Sequence, residues 1–92
     1  MGRNAQRAKY LMEDMKMYKP DRLEEWKKQG IKPLEYLEKF LDGVDEREQK
    51  TLEVLKERIP QGLDPLEYEQ ELNWKRQQAM EIANQEVNSL LH

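Results

Sequence analysis

The chain has 92 residues, 37% hydrophobic and 38% charged, so it can form one domain but not two separate cores. Sixteen Lys and Arg oppose nineteen Asp and Glu without blocks of one sign, a pattern of folded amphipathic elements and not of a charged tail. Cysteine is absent, which excludes a disulfide frame, a thiolate nucleophile and a thiolate metal site. No apolar run approaches the roughly 18 residues of a membrane span. The N-terminus shows no signal-peptide hydrophobic region, so the cytoplasm is the expected location.

Helix formers dominate and alternating strand patterns are missing, so the expected fold is all-α. Ala8, Leu11, Met12, Met15 and Tyr18 form the stripe of a basic first helix over residues 1–18, with Met17 off the stripe. Pro20 stops it. Asp21 with Glu24 has the spacing of a capping box for a short second helix, buried through Leu23 and Trp26 and ended by Gly30. Pro33 starts a third helix, with Leu34, Leu37 and Leu41 inward and Gly43 as its stop. Asp45 and Glu48 then cap a fourth, with Leu52, Leu55 and Ile59 inward and Pro60 and Gly62 closing it. Asp64, Pro65 and Glu67 combine cap, first-turn proline and capping box. No Gly or Pro follows, so the last helix spans 65–91 unless it folds back near Asn73. The whole is a single domain over 1–92, a small bundle of four or five antiparallel helices with a helical-hairpin core over 21–72.

Gln29–Tyr36 and Gln61–Tyr68 read QGIKPLEY and QGLDPLEY, 32 residues apart. That offset suits helical-hairpin repeats, although favoured turn chemistry alone also selects such residues.

The stretch from about Gly30 to Tyr68 resembles part of the N-terminal HEAT-like helical domain of bacterial aconitase B. The resemblance is carried by Thr51–Asp64 followed by Tyr68, with Gly30, Ile31 and Pro33 matching an earlier turn. It implies a helical-hairpin module of a kind used for protein–protein contact or substrate channelling, consistent with reading the chain as two degenerate HEAT-like repeats. It implies no aconitase chemistry, because the iron–sulfur cluster needs cysteines that this chain lacks.

No catalytic constellation stands out. His92 is the one histidine and lies at the terminus, where residues fray. The acidic pairs read as solvated first-turn charges favoured by the helix dipole. Asp42–Asp45 lacks the ligand spacing of a calcium loop. No cofactor and no metal is expected, and the chain is read as a non-enzyme.

Two binding readings follow. In the first, the protein is an adaptor, regulator or assembly factor that contacts another protein. Trp74, beside Lys75 and Arg76, has the composition of an interface anchor. Met80, Ala83, Val87 and Leu90 form a 3–4–3 stripe that helices of about ten and fifteen residues would leave uncovered. That stripe would support homo-oligomerisation or docking on a partner, and Val87→Asp with Leu90→Asp would abolish it while sparing helicity. In the alternative, the protein is a nucleic-acid-binding regulator touching phosphates through Arg3, Asn4, Arg7, Lys9 and Lys16. Residues 1–20 carry a net charge of +3. A pI of about 5.3 disfavours this alternative, since such domains are usually basic.

Overall fold

The computed structural model describes residues 3–92; the first two residues of the expected 1–18 helix lie outside them. Four helices follow in order: α1 (Ala5–Tyr18), α2 (Pro20–Lys28), α3 (Pro33–Lys56) and α4 (Pro65–Asn88), then a 3-10 turn at Ser89–Leu91. Among the described residues there is no strand, so the bundle is all-α.

The two long helices, 24 residues each, form an antiparallel hairpin. Arg47 of α3 donates to both carboxylate oxygens of Glu86 of α4 at 2.8–3.3 Å, which places the end of α4 beside the middle of α3. α1 and α2 pack against only one end of this hairpin. There Ala8, Leu11, Met15, Leu23, Leu37, Leu41 and Leu90 make the core, flanked by Met12, Trp26, Phe40, Val87 and Leu91. The rest of the hairpin is a two-helix arm closed by a thin seam that includes Val44, Ile59, Leu72 and Ala79. The molecule is accordingly long, 56 × 26 × 19 Å, with a radius of gyration of 17.0 Å. A globular chain of this length would have about 12 Å.

Local signals set several boundaries as expected. α2 ends on Gly30 at φ +79°. The Ile31 N–H donates to the Trp26 carbonyl at 2.9 Å and the Gly30 N–H to the Lys27 carbonyl at 3.1 Å, the paired closure of a Schellman motif. Pro33 and Pro65 occupy the first turns of α3 and α4. The Glu67 N–H donates to Asp64 Oδ1 at 2.8 Å, and the Asp64 N–H reaches back to Glu67 Oε1 at 3.5 Å. α4 runs unbroken through Asn73.

Three boundaries differ. Gly43 does not stop a helix; the expected third and fourth helices are one. The stripe Leu37, Leu41, Val44 passes through it with helical spacing and is fully buried. Burying those side chains outweighs the roughly 1 kcal/mol that a mid-helix glycine costs. Asp21 is not a cap: Lys19 is the N-cap and Pro20 the first helical residue. α3 ends at Lys56, before Pro60 and Gly62, and unwinds through a turn.

The two QG-x-x-PLEY copies share a left-handed glycine, a proline-started helix and a tyrosine on its first turn. Their surroundings differ. Gly30 directly caps α2, whereas Gly62, at φ +84°, lies well past the end of α3. Tyr36 packs on Trp26 with ring centroids 4.6 Å apart; 32 residues on from Trp26 stands Arg58. The likeness is one of turns, and the helices around them, of 9 and 24 residues, do not repeat as units.

The glycines give a test with opposite signs. A Cβ at Gly62 meets nothing within 4 Å, so Gly62→Val carries only the backbone cost of a left-handed β-branched residue, about 1–2 kcal/mol. Gly43→Ala removes a helix-interior glycine and should stabilise by about 0.5–1 kcal/mol. The nearest atom to its Cβ is Arg47 Nη1, at 3.1 Å, so the gain requires the guanidinium to shift by a few tenths of an ångström while keeping its hydrogen bonds to Glu86. Thermal melts should move down for the first and up for the second. A fall for Gly43→Ala would mean that the Arg47–Glu86 pair cannot yield to the added methyl.

Candidate interaction surface

The predicted partner-binding residues divide between the two sides of α4. Ala83 and Leu90 are buried, and Val87 is half-buried against the core. Their cover comes from α3, which is as long as α4 because Gly43 does not end it, and from α1. This corrects the expectation of an uncovered stripe. Trp74 and Met80 are exposed, at 53% and 51%, as are Leu66 and Ile82.

α4 turns its Leu72, Ala79 and Ala83 side inward. On the opposite side Gln70, Asn73, Trp74, Gln77, Glu81, Asn84, Gln85 and Asn88 recur at helical spacing, and all are exposed. One charge, Glu81, lies among them. Seven of the chain's twelve Asn and Gln fall between Gln70 and Asn88. In a chain that is 38% charged, a face this poor in charge and carrying an exposed tryptophan departs from an ordinary solvated helix. Loss of charge and enrichment of Trp and Met are what distinguish the centre of an interface from the rest of a surface. The sequence exposed Trp74 as a candidate, but the amide face around it was missed. Reading polar type along the helix, beyond the apolar spacing, carries that signal.

The candidate nucleic-acid contacts are differently placed. Asn4 is buried at 2% exposure. Its amide donates to Asp42 Oδ1 at 2.7 Å and to Asp45 Oδ2 at 3.0 Å, and its carbonyl accepts from Arg7 at 2.8 Å. Arg7 also pairs with Asp45 at 3.1 Å. The segment that faintly resembled a calcium loop is therefore a stretch of α3 that anchors the start of α1. Burial works against the charged form of Asp45, but hydrogen bonds from Asn4 and Arg7 and the charges of Arg7 and Arg3 outweigh it and hold the carboxyl below its usual value. Lys16 pairs with Glu13 at 3.0 Å; Arg3 and Lys9 are exposed. A phosphate at Arg7 would have to displace Asp45.

Several of the clustered carboxylates have local partners. Glu67 completes the α4 cap, Glu24 lies 3.8 Å from Lys27, and Glu71 lies 3.9 Å from Lys75. The Asp64 carboxyl is lowered chiefly by the Glu67 backbone N–H. Arg47 is raised chiefly by its hydrogen bond to Glu86. Each of these three groups moves away from neutral pH because a hydrogen-bonded partner favours its charged form.

A hollow of about 550 Å³ lies where α1, α2 and the start of α3 meet. Met12, Leu23, Pro33 and Leu34 line it, with Lys16, Lys27 and Lys32 at its edge. Each lysine has a glutamate three residues away within 4 Å. Among the described residues no group of three or more His, Cys, Asp or Glu is placed to hold a metal ion, and no helix is long and apolar enough to cross a membrane.

Comparison of the chain with protein-family models, curated proteins and solved structures returned no match.

Proposed function

We propose that the protein is a non-enzymatic interaction module, an adaptor or assembly factor, whose contacting element is the outer face of α4. One observation carries this reading: the face is nearly free of charge and presents Trp74 half-exposed among its amides. The long arm supports it. Helices α1 and α2 stabilise only the base, leaving α4 displayed along most of its length, about 36 Å for 24 residues.

The reading is tested by quantitative retention of proteins from source-cell extract on the immobilised chain. Trp74→Ala should weaken retention of the specific partner by roughly thirtyfold, the scale of an interface hot spot. Tyr10→Ala, equally exposed but on α1, should leave it unchanged. Both variants should keep the wild-type circular dichroism, since neither side chain belongs to the core. Equal retention by wild type and Trp74→Ala would refute the assignment of this face.

A further inference from the structure

We infer that the outer face of α4 is completed by the same face of a second copy, packed antiparallel about Gln77. The inference rests on the reading of α4 as the contacting element and names its occupant. A carboxamide both donates and accepts, so an amide face is matched by another amide face. A partner face rich in Lys or Glu would instead bury charges against groups that cannot neutralise them. The chain itself carries a surface of the required kind.

The order of residues selects the orientation. In an antiparallel pair centred on Gln77, that residue meets its own copy and Gln70 meets Asn84. Trp74 then comes within reach of Glu81, which lies on the same flank of the Gln77 line, and the indole N–H donates to the one carboxylate on the face. Each of these contacts occurs twice by symmetry. In a parallel pair Glu81 would face Glu81, and aligned helix dipoles would add to the repulsion. The face is open to such a partner, because α3 covers the opposite side of α4 through Leu72, Ala79 and Ala83.

The chain has no cysteine, so single-cysteine variants report the geometry cleanly. Sedimentation should show a dimer of the wild type that Gln77→Glu weakens at least tenfold, without change in circular dichroism. Under mild oxidation of dilute protein, Gln77→Cys should cross-link to itself. Gln70→Cys should not, because its two copies would stand about 21 Å apart along the axis, far beyond disulfide reach. A mixture of Gln70→Cys and Asn84→Cys should cross-link. A wild type that stays monomeric over the accessible concentrations overturns the pairing. So does a dimer in which Gln77→Cys links no faster than Glu53→Cys, an exposed position on α3. In the latter case α4 still stands or falls as a contacting element by the Trp74→Ala retention experiment, so the two failures are separable.

Discussion

Leu90→Asp is expected to unfold the protein. Leu90 is 7% exposed and belongs to the cluster that joins α1, α2 and α3 at the base. Its carbonyl also accepts from Arg22 Nη1 at 2.9 Å, tying the chain's last turn to α2. The substitution removes a buried aliphatic side chain and puts a carboxylate in its place. The first change alone costs about 2–5 kcal/mol, and an unpaired buried charge adds several more. A chain of 92 residues has a total stability of about 5–14 kcal/mol. The expected result is loss of the cooperative melt at 25 °C by circular dichroism. Met80→Asp, on the exposed side of α4, should shift the stability of the folded chain by no more than about 0.5 kcal/mol. A Leu90→Asp variant that melts like wild type would mean that the last turn is not part of the core. The sequence alone assigned Val87 and Leu90 to an uncovered stripe whose replacement spares helicity; the packed base reverses that expectation.

The reversal traces to one residue. Most features decided within a few residues are visible in the sequence, the Asp21–Glu24 box being an exception. The left-handed glycines at 30 and 62, the prolines opening α3 and α4, and the Asp64–Glu67 box all fall where local chemistry puts them. Gly43 is different, because a glycine inside a helix is a weak breaker that tertiary burial overrides. Once it is read as a stop, α3 is split, α4 has nothing of its own length to lie against, and Ala83, Val87 and Leu90 appear uncovered. The same misreading made Asp45 a helix cap, when it receives Asn4 and Arg7 from 41 and 38 residues away. No local rule predicts a contact of that separation.

The candidate site was legible in one residue and not in its setting. Trp74 was visible as an aromatic beside cations and away from the apolar spacing. The amides around it carry no hydrophobic period, so a search for apolar stripes passes over them. They gain meaning only when the inward side of α4 is known and the remaining positions can be sorted by charge. The core and the proposed contact surface thus lie on opposite sides of one helix. Mutations that disrupt folding and those that disrupt contact should separate cleanly along it.

The second large effect is expected at Asn4, whose buried amide bridges Asp42 and Asp45. Asn4→Asp replaces a donor by a third carboxylate at the same point. Near pH 7 this should destabilise by about 3 kcal/mol or more, from the lost donor and like-charge repulsion. Lowering the pH toward 4.5 should recover part of the loss, because one protonated carboxyl can again donate across the cluster. The wild type should behave oppositely. Its Asp45 carboxyl is held below the ordinary value of 3.8. The stability this contributes is complete above that value and disappears as the pH falls through the lowered one. Asn4→Ala removes one cause of the lowering, so its stability should depend less on pH below about 4. Urea melts of the three proteins between pH 7 and pH 2 would show the crossing slopes. Parallel slopes for Asn4→Asp and wild type would mean that Asn4 is not held against the two carboxylates, and that α1 is anchored to α3 by apolar contacts alone.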